Sequence, residues 1–157
     1  MRLDLHQDTT APRDVVWDVL VDWEQQPRWM LDAKEVHVTS AHREGLGVEL
    51  RCPTNLLGLT VQDTMRVTGW DAPRYLEVTH TGRIITGSGA FELTALADGG
   101  TRIGWWEEVD PPLGALGELG ARVVALPIVR RIFRRSLRNL ALRAEEAHRA
   151  RGAGSDL

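Results

Sequence analysis

The sequence predicts an α+β domain in which an antiparallel sheet, ordered as in the chain, is followed by one long helix. Three observations lead there. A short amphipathic helical stretch follows a first alternating segment. Some eighty residues after it read as short strands separated by turn residues. An apolar stripe at three- and four-residue steps then dominates the C-terminal part.

Each element can be justified in order. In "LDLHQD", Leu3 and Leu5 alternate with Asp4 and His6, as a half-buried strand requires. In "TTAPRDVVWDVLVDW", Thr9 or Thr10 can cap a helix, Pro12 suits its first turn, and Val16, Val19 and Leu20 form its apolar stripe. Asp22 can start a second short helix through "WEQQPRWM", with Pro27 breaking the pair into two pieces rather than one rod. Six strands are then expected in "KEVHVTS", "VELRC", "LTVQDTMRVTG", "YLEVTH", "RIITGSGAFELTA" and "TRIGWWEEVD", joined at "REGLG", "WDAPR", "TG" and "DGG". Connections this short impose antiparallel pairing of neighbours in sequence. From "PPLGALGELG" onward Leu126, Val129, Phe133, Leu137, Leu140 and Ala144 lie on one face of a long helix, which Pro127 kinks or starts. Residues 1–150 are read as one domain and 151–157, "RGAGSDL", as a flexible tail.

Composition narrows the function classes. The 157 residues are 43% hydrophobic and 26% charged, an ordinary globular balance. Neither a bilayer-spanning apolar run nor a secretory signal pattern is visible, so a cytoplasmic protein without an integral membrane segment is the default expectation. The single Cys52 excludes an internal disulfide and reads as a small buried hydrophobe. The net charge of −3 divides unevenly: residues 1–110 carry ten Lys/Arg against eighteen Asp/Glu, and residues 111–157 nine against four. The acidic body argues against nucleic acid, and no recognition motif accompanies the C-terminal arginines. The five histidines have no metal-ligand spacing and no Gly-rich phosphate loop is present, so neither metal nor cofactor is expected.

The segments "APRDVVWDVLVD", Trp29, "GLGVELR", "WDAPRYLEVTH", "GGTRIGWWEE" and "PLG…RRSLRNL", in that order, span nearly the whole chain. They resemble the START-like, or SRPBCC, superfamily, and within it the polyketide cyclase/dehydrase-like branch. The resemblance implies the helix-grip fold, a curved seven-stranded antiparallel sheet around a long C-terminal helix, with a hydrophobic cavity between them. It also implies a hydrophobic ligand. Members of the superfamily include lipid carriers, receptors and cyclases, so the fold leaves the activity open.

Alternation assigns one face of each strand to the interior. Leu59, Val61, Asp63, Met65 and Val67 share a face, as do Leu76, Val78 and His80. So do Ile85, Gly87, Gly89, Phe91 and Leu93, and Ile103, Trp105, Glu107 and Val109. Three polar side chains therefore point inward. With Gly69 opposite Arg74, Asp63 falls directly across from His80, with Cβ atoms roughly 5 Å apart. A turn at "TG" pairs Val78 with Ile85, and one at "DGG" brings Glu107 near Phe91. The missing side chains at Gly87 and Gly89 leave room for curvature or for a ligand.

These residues suggest acid–base chemistry. A histidine held by a carboxylate can move protons near neutral pH, which makes Asp63 and His80 one candidate catalytic pair. Glu107, beside Trp105, is a separate candidate carboxyl. Charged and unpaired in an apolar cavity it would be costly, so it should hold a proton or find a partner in His80, a slipped Arg66 or Arg83, or a ligand. Cyclisation or dehydration of a β-carbonyl compound uses such groups. The alternative is structural: Asp63 and His80 satisfy each other at a cavity rim, and Glu107 is tied to an arginine. A pocket of roughly 300–1,000 Å³ is expected, lined by Trp29, Met65, Phe91, Trp105 and Phe133. A carrier or sensor would use the same pocket without chemistry. Arg130, Arg131, Arg134, Arg135 and Arg138 fall opposite the apolar stripe, as a solvated face or a docking site for an anionic surface. An acyl-carrier protein and a second copy of the chain are the macromolecular partners considered.

Overall fold

The structure, a computed structural model, describes residues 2–56, 58–109 and 126–154. Strand β1 (Arg2–Thr9) leads to α1 (Arg13–Val21) and a 3-10 helix (Trp23–Arg28). Strands β2 (His37–Val38), β3 (Glu49–Leu56), β4 (Leu59–Asp71), β5 (Tyr75–Thr81), β6 (Thr86–Ala95) and β7 (Thr101–Val109) follow, and α2 (Leu126–Gly154) ends the described chain. All seven strands form one antiparallel sheet in the order β1-β7-β6-β5-β4-β3-β2. Each short connection pairs sequence neighbours. The exception is β1, which closes the sheet from the far end against β7.

The interior is built by the expected alternation. Val48 just before β3, Leu50 and Cys52 of β3, Val67 of β4, Leu76 of β5, Phe91 and Leu93 of β6, and Ile103 and Trp105 of β7 are buried together. They pack under Val16, Trp17 and Leu20 of α1 and Leu137, Leu140, Ala141 and Ala144 of α2. The stripe on α2 is therefore the one read from its periodicity. Pro127, second in the helix, marks its start, where a missing N–H costs nothing. The connection leading into α2, residues 110–125, lies outside the described residues.

Several local expectations are corrected. Pro12 rather than a threonine stands at the N-cap of α1. Thr9 is instead drawn to α2, where its Oγ1 donates to the Ala141 carbonyl oxygen at 3.2 Å. The second helix is a 3-10 turn with Pro27 inside it, and "KEVHVTS" contributes only a two-residue strand. Residues 151–154 of the expected tail are helical, and Arg151 donates to Asp18 at 2.6 Å.

Register differs from expectation in all three hairpins, and around the three polar residues every difference preserves the faces. Met65, not Asp63, lies opposite His80. Val78 pairs with Gly89, because the β5–β6 turn is longer than "TG" and strand pairing resumes only at Thr86. Glu107 pairs with Gly89, and Phe91 with Trp105. The first two hairpins shift by two and four residues and the third by two, and even shifts keep inward residues inward. A β-bulge between Val67 and Gly69 then reverses the faces of β4 beyond it. It turns Trp70 inward, where its ring meets Trp17 edge-on at 5.0 Å and Trp23 at 6.5 Å.

Candidate functional site

The three inward polar residues form one network. His80 lies diagonally across from Asp63, and its Nδ1 is 3.0 and 2.9 Å from the two carboxylate oxygens of Asp63. Its Nε2 is 2.7 Å from Glu107 Oε1. Glu107 is thus the third member of the cluster, and of the partners open to it the one it finds is His80. The other oxygen, Oε2, accepts from Trp105 Nε1 at 3.0 Å, two residues back on the same face. The side chains of Asp63, His80 and Glu107 are only 5%, 8% and 10% exposed, so these bonds form with little competition from water.

The sheet makes this contact possible through an absence. His80 is on β5 and Glu107 on β7, with β6 between them, so their backbones are separated by about 10 Å. Their side chains meet above Gly87, the partner of His80, and Gly89, the partner of Glu107. A Cβ built on Gly89 would lie 2.1 Å from Glu107 Oε2. The expected room at Gly89 is therefore filled by the protein's own carboxylate. Gly87 also adopts φ 126°, a conformation other residues rarely adopt.

Electrostatics fix the proton inventory. Burial by itself would lower the pKa of the His80 imidazole. Hydrogen bonds to Asp63 and Glu107, with the attraction of both charges, outweigh burial and push it up to about 10. At neutral pH His80 is an imidazolium donating Nδ1–H to Asp63 and Nε2–H to Glu107. Neighbouring Cys52, opposite Asp63 on β3, has its thiol pushed by burial up to about 11, as fits a buried hydrophobe.

An aromatic wall adjoins the network. Phe91 stacks on Trp105 with centroids 4.8 Å apart, and Trp105 stacks on Phe133 of α2 at 4.3 Å and 7°. Trp29 meets Phe91 edge-on at 6.1 Å. Met65 is half-buried opposite His80. All five expected lining residues thus face the interior, and three of them fill part of it with one stack. Arg66 and Arg83 are exposed, and Arg66 pairs with Glu49 at 2.5 Å, so neither reaches Glu107. Glu108 is exposed and lies 3.6 Å from Arg2. The five arginines of α2 from Arg130 to Arg138 are all exposed.

One residue of this region escapes a sequence reading. Asp32 follows the 3-10 helix in irregular chain, where no alternation assigns a face. Its only signal is a carboxyl set among Met30, Leu31 and Ala33. Burial, reinforced by Glu107 and Asp63, raises its pKa to about 6.

The model of the family described as "Polyketide cyclase / dehydrase and lipid transport" matches residues 2–145. The chain belongs to this family. Solved structures agree on the fold. A Thermus thermophilus protein superposes with a TM-score of 0.79 at 17% identity, covering 94% of this chain and 99% of that one. Zhui aromatase/cyclase from a Streptomyces species gives 0.75 at 20% identity, covering 92% and 93%. A START superfamily protein from Mycobacterium smegmatis gives 0.67 at 15% identity, covering 95% and 97%. No functionally curated protein is significantly similar in sequence. Within the family fold, the seven-stranded sheet and long C-terminal helix enclose the network just described. No helix among the described residues is long and apolar enough to cross a membrane.

Proposed function

We propose that the chain binds a hydrophobic small molecule between the sheet and α2, and that Asp63, His80 and Glu107 act on it as general acid and base. The reaction class is cyclisation or dehydration of a polyketide-like substrate, without metal or cofactor. The observation that carries this reading is a histidine bridging two buried carboxylates beside a wall of aromatic rings. His80 holds Glu107 in one orientation, leaving its remaining lone pairs for substrate. Glu107 takes a proton from carbon next to a carbonyl, and the resulting enolate attacks a second carbonyl to form the C–C bond. The new alkoxide takes the proton back from the network. In dehydration the same groups remove the proton and protonate the departing hydroxyl, which leaves as water. An acyl-carrier protein or a second copy of the chain would meet the exposed arginines of α2.

A specific observation also favours a carrier. Both imidazole nitrogens and both carboxylates are already partnered, so the network is complete without a ligand. One comparison separates the readings. Aromatic polyketides and fatty acids are first screened by Trp fluorescence. Glu107→Gln and Glu108→Gln are then compared with the ligand found. The enzyme reading expects Glu107→Gln to lower turnover by about 10²–10⁴-fold, with Glu108→Gln near wild type. A change in affinity with no turnover in either protein supports a carrier. Equal, negligible effects would make Glu107 purely structural.

A further inference from the structure

Among the described residues, the segment Trp29–Asp32 leaves two buried polar atoms without partners, Trp29 Nε1 and Asp32 Oδ1. Trp29 is 1% exposed. Its backbone is nonetheless pinned on both sides. Asn139 of α2 donates to the Trp29 carbonyl oxygen at 3.3 Å, and the Leu31 amide donates to Ser136 Oγ at 2.9 Å. The Asn55 amide of β3 donates to the Asp32 carbonyl oxygen at 2.8 Å. A segment so fully bonded along its main chain could have left apolar side chains here. Instead it buries one donor and one acceptor, each costing about 1–3 kcal/mol while unmet.

The charge around them is lopsided. Asp32 interacts electrostatically with Glu107, Asp63 and His80. Three carboxyl groups therefore share the interior with one imidazole, and both nitrogens of that imidazole are already committed. A ligand carboxylate would enter as a further anion, with no free cation among the described residues that surround Asp32, Asp63 and Glu107 to meet it. A hydroxyl or enol would donate to Asp32 at no such cost, and a ligand oxygen could accept from Trp29.

Building on the ligand-binding reading above, we propose that Trp29 and Asp32 form a headgroup subsite. It accepts uncharged apolar ligands bearing a hydroxyl or enol and rejects ligand carboxylates. The two atoms offer such a headgroup a donor and an acceptor three residues apart on a segment held by its main-chain bonds, and the surrounding acids supply the discrimination.

Calorimetric titration with 2-naphthol and 2-naphthoate at neutral pH tests this, because the two probes share a ring system and differ in headgroup. The wild-type protein should bind 2-naphthol at least about tenfold more tightly, a margin of ~1.4 kcal/mol. Asp32→Asn should narrow that ratio severalfold, and Trp29→Phe should weaken 2-naphthol while sparing the ring contacts. Equal or tighter binding of 2-naphthoate by the wild type overturns the proposal, whatever the variants do. So does an unchanged ratio in a folded Asp32→Asn protein. Nile red, neutral and lacking a hydroxyl donor, separates this subsite from the cavity itself. If Nile red binds but neither naphthyl probe does, the subsite fails and the cavity stands. If Nile red does not bind either, the cavity reading fails and takes the subsite with it.

Discussion

Gly89 is where a single hydrogen atom decides the geometry of the site. A methyl group there would overlap the Glu107 carboxylate, because the nearest oxygen lies 2.1 Å from the position a Cβ would take. We expect Gly89→Ala to displace Glu107, break its bond to His80 Nε2 and lower the imidazole pKa, measurable by NMR titration. A stability loss of about 1–3 kcal/mol should accompany it, read from urea unfolding, because overpacking a full interior strains its neighbours. Removing one partner of a buried charged pair is costlier. His80→Leu leaves two buried carboxylates without their shared cation and should cost about 3–5 kcal/mol in the same experiment. At this scale alternation is informative for the three polar residues, although Leu59, read onto the same inward face, is 73% exposed at the start of β4. Asp63, His80 and Glu107 were all assigned inward correctly. It was silent at Asp32, because irregular chain has no period from which to read a face.

At the scale of elements, the bulge in β4 does what no alternation rule foresees. Between Val67 and Gly69 the strand spends two residues while β5 spends one, and everything beyond changes face. Trp70 thereby joins Trp17 and Trp23 in the interior. Gly69 allows the kink, since a Cβ there would stand 2.8 Å from the Tyr75 ring and 2.9 Å from Glu77 Cβ. Deleting Thr68 should restore regular alternation and send Trp70 outward. Its denaturation midpoint should then fall about as far as that of Trp70→Ala, and a much smaller fall would show that the bulge is dispensable. The same element explains why the site was legible although its register was not. Turn residues locate a hairpin without fixing its length, so pairings slipped by two or four residues. Even slips leave the faces intact, and the polar residues still met, diagonally rather than directly across.

For the whole molecule, two buried groups with displaced proton affinities shape stability against pH. The folded pKa of Asp32, about 6, lies above its ordinary 3.8. The fold therefore favours its protonated form, and stability is lost as pH rises from near 4 through about 6, by roughly 3 kcal/mol at most. Asp32→Asn should flatten that decline when thermal unfolding is followed across the window. The His80 contribution is complete below pH 6.5 and is lost as pH rises through about 10, because its folded pKa is also raised. The order of strands and helices, which places these groups under α2, was readable from turn spacing and helical periodicity. Their mutual distances were not, since those depend on strand register and on two glycines whose role appears only when the sheet is assembled.

The proposed chemistry depends on His80 being an imidazolium shared by two carboxylates, and a ¹⁵N NMR titration of the imidazole measures that directly. His80→Gln identifies the resonance among the five histidines. Both ring nitrogens should remain protonated through neutral pH, with titration only near pH 10, and Asp63→Asn should lower that midpoint. A His80 that titrates near its ordinary 6.5 in the wild-type protein, or a midpoint unmoved by Asp63→Asn, would contradict the network on which the proposed chemistry depends.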